Sequence, residues 1–485
     1  MGSENFADEV ICAACSTLSG KFAYRRVISE MQGQPETIRL IGAGLSGPLL
    51  AIFLARRGFR VEIYERRRDM RRVRLSAGRS INLALSTRGI HGLTEAGLWP
   101  AMQNLIIPMK GRMIHSVSGE LSFQPYGKDA TEVIYSISRA ELNMALISAA
   151  EAEGVQFHFE RRCTGIDLKT GAVHLHDEQT GEKTTLESAV TIGCDGSASA
   201  LRAEMLKLNR FNFSQQYLDY GYKELTIPAG LERKHLLDRN ALHIWPRGNY
   251  MLIALPNSDA SFACILFLPF EGADSFASLV AHSDVLEFFQ SRFPDALALM
   301  PQLADNYFSN PTGAMVTIKC SPWQAEGKVL MLGDAAHAIV PFFGQGINCG
   351  FEDCTSLMEL VDRHGADWSR IFEEFEAARK INTDAIADMA VENFVEMRDR
   401  VGDPRFLFRK KVELALAAKY PHLFVPKYAM VTFHRIPYSI ALSRGMIQDR
   451  MLSQLCDPIE RVEDLDWDLA DRLIQRDLTP LEQVS

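Results

Sequence analysis

The chain has 485 residues, a net charge of −9 and a pI of about 5.8. That length suits a large core shared among two or three domains, and the acidic balance argues against a nucleic-acid or anionic-membrane partner. The nine cysteines are odd in number and scattered, which implies no disulfide framework, and no apolar run approaches the roughly twenty residues that span a bilayer.

Residues 1–35 read as an extension ahead of the first strand, with a weakly amphipathic helical pattern over Glu9–Met31. Cys12 and Cys15 form a C-x-x-C, but no second pair or thioredoxin-like strand accompanies it, so no metal or redox site is assigned. Phe6 stands where a myristoylation signal after Met1-Gly2 wants Ser or Thr. Glu4, Asp8 and Glu9 argue against a secretory leader, and the expected location is the cytoplasm.

Thr37 to Arg67, TIRLIGAGLSGPLLAIFLARRGFRVEIYERR, predicts strand, glycine turn, helix, strand and a terminal acid. Gly42, Gly44 and Gly47 make G-x-G-x-x-G: the first allows the tight turn, the second lets a pyrophosphate approach the backbone, and the third lets helix and strand pack closely. The helix N-terminus offers free N–H groups to that pyrophosphate, and Glu65 ends the second strand where a carboxylate can accept from a ribose hydroxyl. The basic run Arg66–Arg74 reads as a solvated loop beside the phosphates.

Two later strand ends also carry acids. An apolar strand, Ala189–Ile192, runs into Gly193-Cys194-Asp195-Gly196, with a helix beginning near Ser199. Val329–Leu332 runs into Gly333-Asp334, followed by Pro341 and a Gly344-Gln345-Gly346 turn that opens a long helix. Two acidic turns after apolar strands suggest one extended ligand along a single sheet. Between them, Tyr222–Ile227, Ala241–Pro246, Tyr250–Leu255 and Phe262–Leu268 read as strands. His243 lies in one of them and reads as a hydrogen-bonded sheet histidine. From Trp368 on, helical patterns dominate, as in Ile371–Met389. The fold class is α/β: a Rossmann-like dinucleotide domain (36–210 and 322–367) with an inserted β-sheet substrate domain (211–321) and a C-terminal helical region (368–485).

These motifs resemble the FAD-dependent aromatic hydroxylases, the single-component flavoprotein monooxygenases. The family fingerprint G-x-D-G-x-x-S-x-x-R is matched by Gly193, Asp195, Gly196, Ser199 and Arg202. Gly78–Leu85, Gly111–His115, Ala241–Pro246, Val340–Asn348 and Met430–Phe433 resemble, more narrowly, the members that hydroxylate L-kynurenine. The resemblance implies bound FAD, transient NADPH without a second glycine module, and O2 activation through a flavin hydroperoxide, giving 3-hydroxykynurenine.

By the same resemblance, Gly42, Gly44, Leu45, Gly47, Tyr64, Glu65, Arg66, Arg67 and Ala84 contact FAD. Arg139 lies near its phosphates and Asp195 belongs to the fingerprint. Gly333 and Asp334 hold the ribityl chain, and Gly346, Ile347 and Asn348 border the ring. Arg112 binds the amino-acid carboxylate, with Tyr126 and Tyr428 as hydrogen-bonding tyrosines and Asn393 at the same pocket. A guanidinium fork matches a carboxylate bidentately. The cofactor carries the hard chemistry, so no catalytic side chain or metal is assigned, and His337 reads as a local hydrogen-bonding group. A hydroxylase of another aryl amino acid or phenol, and a non-hydroxylating flavin-bearing interaction protein, are the alternatives. The tail from Asp457 is charged, unlike the membrane-anchoring helix of animal members, and the oligomeric state is open.

Overall fold

A computed structural model describes residues 36–73, 82–127, 131–187, 189–400 and 403–481, with only the backbone at 399–400. The 1–35 extension, with the Glu9–Met31 pattern and the Cys12–Cys15 pair, lies outside these residues, as do Arg74 and Gly78–Ile81.

Thr37–Ile41 is the central strand of a six-stranded sheet ordered Gln324–Ala325, Val329–Met331, Val190–Gly193, Thr37–Ile41, Arg60–Glu65, Gln156–Phe159. All neighbours in it are parallel except the short outer pair at Gln324–Ala325. Parallel strands need both faces covered. Helix Ser46–Arg56 packs against helices Arg139–Ala152 and Gly346–His364 to supply that cover.

A seven-stranded sheet, ordered Thr312–Ser321, Asn212–Ile227, Phe262–Pro269, Met251–Pro256, Ala241–Pro246, Gly111–His115, Leu121–Pro125, stands beside it. Its alternating side chains serve two cores. Ile265 and Phe267 face Phe342, Ile386 and Phe394, while Leu266 and Leu268 face Phe289 and Leu303 on the other side. Asn212–Ile227 begins ten residues before the expected Tyr222. Its first half is solvent-exposed and gains its place by backbone pairing with Val316–Ser321, so no buried alternation announces it.

The expected boundary at residue 210 does not separate the two sheets. Gly111–His115 pairs in parallel with Ala241–Ile244, and Leu121–Pro125 pairs antiparallel to Gly111–His115. The hairpin carrying Arg112 is therefore part of the seven-stranded sheet.

The C-terminal region is helical: Trp368–Val395, Pro404–Lys419, Lys427–Thr432, Tyr438–Cys456 and Trp467–Asp477. Among the described residues no helix is long and apolar enough to cross a membrane.

The glycine turn has a measurable signature. A Cβ on Gly47 would lie 2.2 Å from the Gly42 carbonyl oxygen, whereas one on Gly44 would meet nothing within 4 Å. Gly47→Ala is expected to destabilise the apoprotein by about 1–3 kcal/mol through overpacking, and Gly44→Ala to leave it within about 0.5 kcal/mol. Denaturant unfolding of the two apoproteins checks the difference.

Candidate FAD and substrate site

A cleft of about 830 Å³ opens along the carboxyl ends of the parallel strands and runs under the seven-stranded sheet. Ligands of open α/β sheets bind outside this edge, and the volume lies in the usual range for cofactor pockets, roughly 300–1,000 Å³. Every residue assigned to cofactor or substrate from the sequence lines it except Gly47, Gly333, Asn348 and Asn393.

Gly42 sits at φ +104°, and a Cβ there would lie 2.5 Å from the Cys194 carbonyl oxygen. Gly44 faces open space beside the N-terminus of helix Ser46–Arg56, a cradle into which a pyrophosphate fits. Glu65 is more committed than the sequence suggests. Its Oε2 accepts from Ala43 N at 2.8 Å, and its Oε1 accepts from Arg67 N at 2.9 Å and Arg67 Nε at 2.8 Å. Burial pushes its pKa up, but the Arg67 guanidinium and the two backbone N–H groups outweigh that and hold it below the ordinary value. Tyr64 borders the same turn and donates to Glu62 at 3.1 Å. Burial and that carboxylate push its pKa up to about 12.

Asp195 Oδ2 accepts from Ala200 N at 2.7 Å, while its Oδ1 is buried without a partner. Desolvation raises its pKa against the hydrogen bonds from Ser199 and Ala200. Ser199 caps the helix that follows by accepting from Arg202 N at 3.0 Å. Arg202 then reaches across to the Ala335 carbonyl at 2.7 Å. The fingerprint arginine thus clasps the Asp195 turn to the Gly333-Asp334 turn. Asp334 opens its carboxylate to the cleft. Desolvation there raises its pKa, with Arg139 and His337 opposing.

At the far end of the cleft Arg112 projects beside a pair of tyrosines. Its guanidinium carbon lies 5.1 Å from the Tyr428 ring centroid and 5.6 Å from that of Tyr126. The two rings stack on each other at 5.6 Å with 10° between their planes. Arg112 Nε and the Tyr126 hydroxyl are buried with no hydrogen-bond partner. Burial alone would lower the Arg112 pKa, but Tyr428, Tyr126 and Glu396 raise it, so the group is a cation. Burial pushes both tyrosine hydroxyls up, so they are neutral donors. A buried cation and phenol left unpaired are costly unless a ligand completes them. Phe267, Phe342, Ile253, Leu242 and Met397 form the adjoining apolar wall.

Two expected contacts are corrected. Asn393 is off the cleft wall: its Nδ2 donates to the Phe342 carbonyl at 2.7 Å. Asn348 is also behind the wall: its Nδ2 donates to the carbonyls of Ala84 at 2.9 Å and Gly344 at 2.8 Å, and its Oδ1 accepts from Ser86 N at 2.8 Å. Both amides are consumed in fixing backbone, because a carbonyl left unpaired in the interior is expensive. Ile347 and Gly346 do reach the cleft. Gly47 and Gly333 shape the turns from behind.

His337 pairs with Asp353 at 2.6 Å, beside Gly333 N, which donates to the same Asp353 oxygen at 3.1 Å. The ligand atoms of His337, Cys349 and Asp353 lie within 4.8 Å of one another. The Arg379 guanidinium, 2.7 Å from Asp353 and 3.5 Å from Cys349 Sγ, already supplies the positive charge a cation would bring. His243 is satisfied within its sheet by His115 and the Asp238 carbonyl, each at 2.9 Å, and burial lowers its pKa to about 4. No motif marks Asn143, which donates to the carbonyls of Ala43 at 3.1 Å and Gly44 at 3.0 Å and so sets the glycine turn. Asn82, on the cleft wall, ties Ser136 and Pro256 together at 3.0 Å each.

An FAD binding domain family matches residues 36–364. A kynurenine 3-monooxygenase of Myxococcus xanthus is 52% identical over 450 residues, covering 93% of this chain and 97% of its own. Another, of Dictyostelium discoideum, is 44% identical over 455 residues, covering 90% and 97%. Among solved structures, the tetrameric form of 2-methyl-3-hydroxypyridine-5-carboxylic acid oxygenase shares the fold, with a TM-score of 0.64 at 20% identity over 78% of this chain and 96% of that one. The cleft, its glycine turn and these relationships agree, and the chain belongs to the kynurenine 3-monooxygenase family of proteins built on the FAD binding domain.

Proposed function

We propose that this protein is a kynurenine 3-monooxygenase that uses FAD, NADPH and O2 to place a hydroxyl on L-kynurenine beside the ring amine. The observation that carries this reading is the pair of buried, unpartnered groups on Arg112 and Tyr126. They stand at one end of a cleft whose other end is a glycine turn built for a pyrophosphate. An α-amino acid carboxylate supplies the acceptors that both groups lack.

FAD supplies the redox and oxygen-activating chemistry when bound; the chain supplies binding, orientation and dryness. Gly42, Gly44 and the helix N-terminus at Ser46 receive the pyrophosphate, with Arg66 and Arg139 nearby. Glu65 fixes the turn and keeps lone pairs for a ribose hydroxyl. Asp334 accepts from the ribityl chain, and Gly346 and Ile347 border the ring. Arg112 grips the carboxylate, and the hydroxyls of Tyr126 and Tyr428 donate to its remaining lone pairs. The aryl ring then lies along Phe267, Phe342 and Met397, which exclude water. Asn393 acts indirectly, by fixing Phe342. The ring amine pushes electron density onto its ortho carbon, so an arene held in this orientation presents its most nucleophilic position to the cofactor. All seven described cysteines are free thiols, which suits a reducing compartment, and we assign the enzyme to the cytoplasm.

The direct test is incubation with NADPH, O2 and L-kynurenine, followed by mass spectrometry. The expected product is kynurenine plus one oxygen, with NADPH consumed faster than without substrate. Consumption that ignores kynurenine overturns the reading.

Two substitutions examine its parts. Arg112→Ala removes a charge-assisted clamp and is expected to raise the Michaelis constant for kynurenine about 10- to 100-fold. FAD occupancy should be unchanged, since the clamp lies at the substrate end; undiminished kynurenine affinity would contradict the clamp. Asp334→Ala is expected to weaken FAD binding about tenfold, read by flavin titration of the apoprotein, and an unaltered dissociation constant would refute that role.

A further inference from the structure

Behind the cleft wall, five ionisable side chains form one continuous buried chain: Arg88, Glu352, Arg379, Asp353 and His337, none more than 9% exposed. Arg88 Nε donates to Glu352 Oε1 at 2.9 Å, and Arg379 Nη1 donates to Glu352 Oε2 at 2.7 Å. Arg379 Nε donates to Asp353 Oδ1 at 2.7 Å, and Asp353 Oδ2 receives both His337 and Gly333 N. That end of the chain stands on the Gly333-Asp334 turn.

The other end grips the C-terminal segment. The Arg88 guanidinium donates to the carbonyls of Val431, Ile436 and, at 3.0 Å, His434. It also lies 3.9 Å over the ring of Tyr438, whose hydroxyl donates to Gln345 Oε1 at 2.8 Å in the Gly344–Gly346 turn. The segment held in this way contains helix Lys427–Thr432, which carries Tyr428. Six residues are too few to hold a helix by their own propensity, so its place depends on such anchors. Buried charges are also a poor means of simple stabilisation: apolar side chains of like volume often do as well or better. What the charges add is fixed geometry between segments distant in sequence.

We propose that Arg88 is a positioning residue for the substrate: it holds the Tyr428 segment in register with the Gly333-Asp334 and Gly344–Gly346 turns, so that clamp and flavin cradle keep one spacing. This rests on the reading above that Tyr428 donates to the substrate carboxylate.

The test uses the FAD-loaded full chain. Oxidised wild type, Arg88→Met, Tyr428→Phe and the double variant are titrated with L-kynurenine by flavin absorbance, without NADPH. Arg88→Met is expected to raise the dissociation constant about tenfold, in line with the cost of misplacing a binding group. In the Tyr428→Phe background it adds less than about threefold, because the two residues act as one unit. FAD affinity stays within about threefold of wild type by the same reasoning. Equal effects in both backgrounds overturn the proposal, since a residue that merely supports the fold would act independently of the tyrosine hydroxyl. Hydrogen exchange provides a readout that needs no substrate: Arg88→Met should expose amides across 427–438, and unchanged protection there also overturns it. A wild type that fails to respond to kynurenine refutes the substrate reading instead, and the exchange result then decides the positioning role. If Arg88→Met does not fold, Glu352→Gln removes the charge that orients Arg88 at constant volume and is expected to act in the same direction, with the same outcomes deciding.

Discussion

The parallel pairing of Thr37–Ile41 with Arg60–Glu65 on one side and Val190–Gly193 on the other is the constraint from which the site follows. With Val329–Met331 added beyond, four strands end at one edge, and the turns after them bring Gly42, Arg66, Asp195 and Asp334 together from positions far apart in sequence. A one-residue slip would reverse every side chain on a strand and pull its turn out of line. The buried residues of Thr37–Ile41 and Val190–Gly193 specify that register, so the same apolar pattern that makes the sheet also aligns the polar groups at its edge.

Around the cleft the polar groups divide by whether they already have partners. The amides of Asn82, Asn143, Asn348 and Asn393 all donate to backbone carbonyls, and Arg202 does the same. These donations stiffen the walls. Arg112 Nε, the Tyr126 hydroxyl, Asp195 Oδ1 and Asn82 Oδ1 are buried without partners. Polar atoms in that state raise the energy of the empty protein, and the energy is recovered when an acceptor or donor arrives. Specificity therefore concentrates in a few atoms set within walls that do not adapt.

Much of this was legible in the sequence. The first βαβ unit could be read because three glycines, an alternating strand and a terminal acid all fall within thirty-odd residues, each required by a local geometry. Local signals do not report non-local pairing. The hairpin at Gly111–Pro125 joins the seven-stranded sheet through Ala241–Ile244, a partner about 130 residues away, and nothing in either segment declares the match. The same holds for side chains. Resemblance identifies Asn348 and Asn393 as site residues, but their acceptors are the carbonyls of Ala84, Gly344 and Phe342, which no side-chain pattern encodes. Arg88, Glu352 and Arg379 look like solvated helix charges until three helices close over them.

The three groups of the clamp are not held in the same way. Arg112 sits in a paired strand opposite Leu242 and Gln124. Tyr126 follows directly on the partner strand, its N–H donating to the Lys110 carbonyl at 3.1 Å. Sheet register therefore fixes these two against each other, with backbone hydrogen bonds on both sides. Tyr428 comes from a short helix in a different region and is set by its stack on Phe343 at 5.5 Å and by the grip of Arg88 on the carbonyls beyond it. Two of the three groups are thus set by sheet register, and the third by a separately anchored segment. The buried charges are placed along the line of contacts from that segment to the Gly333-Asp334 turn.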